Sequence, residues 1–183
     1  MLRPVRTFVL ALTGRDRPGI VASLTRVLLD RGLNIEDAEM AILRGHFAVM
    51  LMLAAPDGLD EKALRDDLER LRTDVPLETV SLTEVAALDP HAADASHSLS
   101  VYGADHPGIV HGVADALADA GVNVVGLSTR VLGEDDGAPI YAMLLEVALP
   151  EGVDEAGLDA LLARVADEQG VDVSLRALDD DVL

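Results

Sequence analysis

An eight-residue phrase occurs twice in this chain, as GRDRPGIV at residues 14–21 and as GADHPGIV at residues 103–110. The second copy lies 89 positions after the first in a chain of 183, and the neighbouring sequence keeps that distance. Gly32-Leu33-Asn34-Ile35 returns as Gly121-Val122-Asn123-Val124, Leu28 as Leu117 and Asp30 as Asp119. Further on the spacing grows by five, so that Pro56-Asp57-Gly58-Leu59-Asp60 corresponds to Pro150-Glu151-Gly152-Val153-Asp154. The added residues fall around Gly133–Gly137, which reads as a longer hairpin loop, an inexpensive place for insertion because closure entropy grows slowly with length. A unit of about 80 to 90 residues has been duplicated in tandem, and that repetition decides the architecture.

Each unit alternates between strand and helix signals. Thr7–Leu12 is β-rich and stops at Gly14, a short buried strand. A helical pattern runs from Pro18 to Arg31 with Ile20, Val21, Leu24, Val27 and Leu28 on one face, opened by Pro and closed by Gly32. Leu33–Leu43 and Phe47–Ala55 flank Arg44-Gly45-His46, a tight hairpin signal. Asp60–Thr73 is a second amphipathic helix with Leu64, Leu68 and Leu71 inward, and Thr79–Val85 alternates as a final strand. The second unit repeats the order with strand 98–103, helix 107–120, hairpin strands 122–132 and 139–149, helix 154–169 and strand 171–177. The order βαββαβ predicts an α+β chain of two tandem ferredoxin-like domains, each an antiparallel sheet with two helices on one face. The expected boundaries are 1–86 for the first domain, 87–97 for a small, polar, Pro-containing linker, 98–178 for the second domain and 179–183 for an acidic tail.

Charge narrows the function classes. Residues 1–88 hold 11 Lys+Arg against 14 Asp+Glu, whereas residues 89–183 hold 3 against 19. Such a surface repels phosphate backbones, so no direct nucleic-acid binding is expected. The acidity of the second half serves solubility or a basic partner protein. Four aromatic residues without Trp give no base-stacking surface. The longest apolar runs, such as Ala48–Ala55, are too short to cross a bilayer. Arg3 and Arg6 ahead of an apolar stretch resemble a poor leader, but that stretch has a counterpart at Ser98–Tyr102, so it reads as a strand in a cytoplasmic protein. Without cysteine there is no disulfide, thiolate metal site or cysteine nucleophile.

No catalytic constellation is legible, and no cofactor is expected. Ser23, Ser81 and Ser128 lack the context of an activated nucleophile, and no Gly-x-x-x-x-Gly-Lys phosphate loop occurs. His106 and His111 are five apart rather than four, so no metal pair is read there, and His111 with Asp115 reads as a surface pair. Asp135-Asp136 lacks the spaced oxygen ligands of a calcium loop.

The repeated loop carries the chemistry. Pro18-Gly19 and Pro107-Gly108 start helices whose first N–H groups are unpartnered and positive, able to hold a carboxylate that glycine lets approach closely. Asp16 and Asp105 could attract an ammonium group, and Asn34 and Asn123 add an amide that both donates and accepts. Together these groups suit a free amino acid. The same residues are also compatible with a plain N-cap at Asp16 and a plain helix-ending turn at Gly-x-Asn.

Asp-x-Pro-Gly-Ile followed about 15 residues later by Gly-x-Asn-Ile/Val, in a βαββαβ unit, resembles the ACT domain. The resemblance covers 7–85 and 98–177, and the tandem pair without a catalytic domain resembles the glycine cleavage system transcriptional repressor group. It implies a non-enzymatic regulatory module that binds a small amino acid at interfaces between such domains, within a chain or across a homodimer, and signals to a protein partner such as a regulator or metabolic enzyme. The implied binding residues are Asp16, Arg17, Pro18, Gly19, Ile20, Asn34 and Ile35, matched by Asp105, His106, Pro107, Gly108, Ile109, Asn123 and Val124. Arg17 could add a carboxylate contact that His106 would make pH-dependent. The other expectation is a ligand-free interaction module that uses the paired domains and the acidic second half.

Overall fold

The computed structural model describes residues 6–86, 94–135 and 138–178. The chain divides into two compact units, one up to Pro90 and one from His91. Positions 87–93 of the expected linker, the tail 179–183 and Asp136-Gly137 lie outside the described residues.

In the first unit the elements are β1 (Arg6–Arg15), α1 (Ile20–Asp30), β2 (Asn34–Leu43), β3 (His46–Ala55), α2 (Glu61–Asp74) and β4 (Leu77–Val85). The second unit has β5 (His97–Ala104), α3 (Ile109–Asp119), β6 (Asn123–Asp135), β7 (Ala138–Ala148), α4 (Glu155–Gln169) and β8 (Val171–Ala177). The antiparallel sheets are ordered β2-β3-β1-β4 and β6-β7-β5-β8. The expected α+β class and the two ferredoxin-like βαββαβ units stand.

Strand alternation builds each core. Phe8, Leu10 and Leu12 on β1 and Phe47, Val49, Leu51 and Leu53 on β3 face the helices, because successive side chains of a strand point to opposite faces. Leu24 and Leu28 of α1 and Leu64, Leu68 and Leu71 of α2 close over them. Each such side chain stabilises the unit by about 1.5–3 kcal/mol on burial. The second core repeats this with Leu99, Val101, Val113, Leu117, Leu145, Leu158 and Leu162.

Caps and turns explain where elements stop. After α1, Gly32 sits at φ +70°, its N–H reaches the Leu29 carbonyl at 2.9 Å, and the Leu33 N–H reaches Leu28 at 3.0 Å. This is a Schellman ending, repeated after α3 by Gly121 and Val122. Gly-x-Asn is therefore the helix-ending turn that the bland reading offered. Arg44 and Gly45 both have positive φ, giving the two-residue turn whose twist suits a hairpin.

Two expectations need correction. Val21 is 48% exposed and does not join the core: its neighbour Ile20 takes the inward position on the first turn, and Val21, about 100° round the helix, lines the pocket beside the repeated loop. The insertion in the second hairpin lengthens the strands: pairing continues through Leu132 with Ile140, Glu134 with Pro139 and Asp135 with Ala138, past an irregularity between Leu132 and Glu134. Extra residues that can keep exchanging ladder hydrogen bonds do so.

Candidate functional site in the repeated loop

Strand β1 delivers the chain to its end at Arg15, and the loop that follows is tied from two sides. The Asp16 N–H donates to the Gly45 carbonyl in the hairpin turn at 2.9 Å, and the Arg15 N–H reaches the Pro76 carbonyl at 3.3 Å. In the second unit the Asp105 N–H donates to the Pro139 carbonyl at 2.9 Å. Both loops then enter their helices through glycine, Gly19 at φ +96° and Gly108 at φ +113°, values that strain any residue with a Cβ.

Those glycines are the N-caps, and neither helix start receives a side-chain cap. Asp16 and Asp105 are therefore not caps. Two residues separate each from the glycine cap, and both are exposed. Among the described residues the Asp16 carboxylate makes no hydrogen bond. The positive end of α1, with its first-turn N–H groups free of intrahelical partners, faces outward beside a carboxylate.

Arg17 and His106, which differ between the repeats, perform one task. The Arg17 guanidinium donates to the Asp74 carbonyl at 3.0 Å, the last residue of α2. The His106 Nε2 lies 2.7 Å from the Gln169 carbonyl, the last residue of α4, and its Nδ1 lies 3.1 Å from the Pro107 carbonyl. A cation there meets unpaired carbonyls at the negative end of a helix. Both ring nitrogens of His106 face acceptors, first Pro107 and then Gln169, and this favours the doubly protonated ring and raises its pKa above the usual histidine value. The sequence assigned these residues to a ligand carboxylate; in the folded unit they hold the loop against the second helix.

A pocket of about 500 Å³ opens beside the first loop, bounded by Asp16, Arg17, Pro18, Gly19 and Ile20, by Val21 and Ala22 of α1, and by Met40, Ile42 and Phe47 of the hairpin. Its counterpart, about 520 Å³, is bounded by Asp105, His106, Pro107, Gly108, Ile109, Val110, His111 and Tyr141. His111 and Asp115 make no ion pair; His111 turns to the pocket. Tyr141 is 9% exposed, its hydroxyl lies 3.8 Å from the Met143 sulfur, and burial pushes its pKa upward.

Asn34 and Ile35 are not part of the first pocket. They stand at the opposite end of β2, lining a separate cleft with Arg26, Leu29 and Leu33. Because β2 runs parallel to β1 through their shared neighbour β3, its first residue lies far from the end of β1. One unit thus holds the Asp-x-Pro-Gly residues together and leaves Asn34 an α1 length away, as Asn123 stands after α3.

Met40, Ile42, Phe47 and Tyr141 escaped the sequence reading. Met40 and Ile42 belong to an edge strand exposed along all ten residues, and register places them opposite Val49 and Phe47. The available signal was apolar residues on both faces of Ala38–Leu43, where a half-buried strand would alternate.

With this geometry in place the family can be assigned. The first unit matches the ACT domain family profile over residues 6–81, and the second matches it over residues 97–168. The chain belongs to the ACT domain family. Phosphoserine phosphatase SerB2 of Mycobacterium tuberculosis is 29% identical over 174 residues, covering 94% of this chain and 41% of that protein. The tandem ACT chain therefore spans about two fifths of that relative's length. Among solved structures, an unknown protein from Galdieria sulphuraria superposes with a TM-score of 0.80 at 29% identity, covering 96% of this chain and all of that one. A proposed glycine cleavage system transcriptional repressor superposes at 0.73 over 97% of this chain and all of its own, with 16% identity, and so shares the ACT fold. Among the described residues no helix is long and apolar enough to cross a membrane.

Proposed function

We propose that this tandem ACT protein is a non-enzymatic regulator that binds a small amino acid at the Asp-x-Pro-Gly loops and passes the binding to a protein partner. The observation that carries the reading is an uncapped helix start beside a free carboxylate, opening on a pocket and built in both units. The first-turn N–H groups hold the ligand carboxylate, and Asp16 or Asp105 holds its ammonium. Support also comes from the relative that carries a similar stretch, which is named for phosphoserine, an amino-acid derivative.

Asn34 completes such a site when two copies pair. Antiparallel pairing of β2 edges from two copies brings the Asn34 end of one to the Leu43 end of the other, beside the loop. The same pairing satisfies the free edge and covers Ile35, Met40, Ile42 and Leu43, all exposed. A ligand that favours the paired arrangement shifts its population by its differential affinity, which is the signal.

Thermal unfolding against each of the twenty amino acids tests this. A ligand of the native state at 100 times its Kd adds about 2.7 kcal/mol, a shift of several degrees. Asp16→Ala with Asp105→Ala abolishes the shift, and Asn34→Ala weakens it. No shift at millimolar concentration sinks the proposal.

A second reading has its own observation. The helices of the first unit pair their carboxylates, as in Lys62–Asp66, Arg65–Glu61, Arg72–Glu69 and Arg26–Asp30. Among the described residues α3 and α4 carry one such pair, Arg164–Glu168. In this reading the unneutralised second unit docks a basic protein surface, with salt-sensitive association and no response to amino acids.

A further inference from the structure

We infer that the two pockets have diverged in specificity, the first taking an amino acid with an apolar side chain and the second one with a neutral hydrogen-bonding side chain. The inference rests on the amino-acid-binding reading and sharpens it to ligand class. Register aligns the pocket walls residue by residue. Phe47 pairs with Gly14 and Tyr141 with Gly103. Ala22 and His111 hold equivalent positions on α1 and α3.

Two substitutions therefore act in the same direction. Where the first pocket is lined by Phe47 and Ala22, the second is lined by a phenol and an imidazole. The volumes, about 500 and 520 Å³, are nearly equal, so the walls differ in chemistry and not in size. In the first pocket the Arg17 guanidinium is engaged with Asp74, which leaves Asp16 at the mouth and an apolar wall behind. A ligand hydroxyl against that wall loses water without a replacement partner. In the second pocket the buried Tyr141 hydroxyl donates to a thioether sulfur at 3.8 Å, a weak acceptor. A ligand hydroxyl or carboxamide offers it a full hydrogen bond, and an apolar side chain leaves it with the weak one. Asp105 at the mouth disfavours acidic side chains.

Valine and threonine are near-isosteric probes of this difference, as are leucine and asparagine. Calorimetric titration of the full chain at pH 7.5, with amide NMR to locate each event, should give two classes of site. Valine or leucine should perturb residues around Asp16, with threonine weaker there by up to about 10²-fold, the limit for an apolar pocket rejecting an added hydroxyl. Threonine or asparagine should perturb residues around Asp105. Tyr141→Phe with His111→Ala should weaken threonine at the second site at least tenfold and leave valine at the first unchanged. Phe47→Tyr with Ala22→His should raise threonine affinity at the first. Amide spectra of each double variant report whether its unit is folded, and either variant alone tests the assignment. One class of amino acid filling both sites, or wall exchange without change of preference, overturns the divergence while binding itself stands. No binding by any of the four probes or the remaining amino acids overturns the amino-acid reading, and the divergence with it.

Discussion

Replacing Gly14 by alanine should unfold the first unit at a much lower temperature. Gly14 follows the irregularity between Thr13 and Gly14 in the pairing of β1 with β4, where the chain after α2 passes unusually close. A Cβ on Gly14 would stand 2.5 Å from the Pro76 carbonyl oxygen and 2.9 Å from the Leu77 Cα, both main-chain atoms. No rotamer change can clear them. Relief requires moving Pro76, which lengthens the Arg15 N–H bond to its carbonyl and disturbs Val75 and Leu77, both buried. Overpacking costs about 1–3 kcal/mol, and a lost hydrogen bond adds about 1 kcal/mol. Reduced freedom of the unfolded chain returns about 0.4–1 kcal/mol. The net loss is about 1–3.6 kcal/mol, or roughly 4–28 °C for a unit of this size. Gly103→Ala is the internal control. Its Cβ would meet the Val171 Cγ1 at 2.8 Å, with Val171 Cα and Cβ at 3.1 Å, so much of the clash is with a side chain. It should cost less, and Val171→Ala should partly rescue it, a coupling seen only between touching residues. Circular dichroism melts of the four variants decide the matter. A Gly14→Ala loss below about 0.5 kcal/mol, the scale of an innocuous surface change, would refute the close approach and the reason given for the glycine that opens the repeated phrase.

Backbone conformation, capping and charge give further outcomes. Gly19→Ala forces a Cβ into φ +96° with nothing within 4 Å, so it should cost about 1–2 kcal/mol from backbone conformation alone, read by denaturant melts. Asp60 accepts the Ala63 N–H at 3.0 Å whereas Asp154 makes no cap bond, so Asp60→Ala should cost about 1 kcal/mol and Asp154→Ala distinctly less. His106 has a raised pKa in the folded state, so its contribution is complete below its unfolded value of 6.5 and is lost as pH rises through the folded value. The second unit should therefore melt lower at pH 8 than at pH 6, and His106→Arg should flatten that slope. Glu61, Glu69 and Glu84 are held below their usual 4.5 by hydrogen bonds from Arg65, Arg72 and Arg6 respectively, so the first unit should weaken as pH falls below that range. Melting curves from pH 3 to 6 check that opposite sign.

The elements were legible because their causes are local. Pro18-Gly19, Gly32 and Gly121 start or end helices through backbone geometry within a few residues, and Arg44-Gly45 closes a hairpin in the same way. The core leucines of α2 followed from period alone. Asp16 reads from the sequence either as a ligand group or as a cap, and only the φ of Gly19 reveals that glycine holds the cap position. The contacts of Arg17 and His106 were not legible because their partners, Asp74 and Gln169, lie 57 and 63 residues away. No local pattern reports such a pairing.

The amino-acid sequence by itself determined that this chain is a duplicated βαββαβ unit, since a repeat in register, strand and helix periods and glycine turns need no knowledge of what packs on what. Tertiary structure decided what the repeated loop is made of. It placed Met40, Ile42 and Phe47 behind Asp16, tied Arg17 to a helix end and carried Asn34 to the far end of β2. Periodicity says which face of an element is apolar; which distant element crosses that face depends on the simultaneous packing of sheet and helices, and that is where the candidate site is formed.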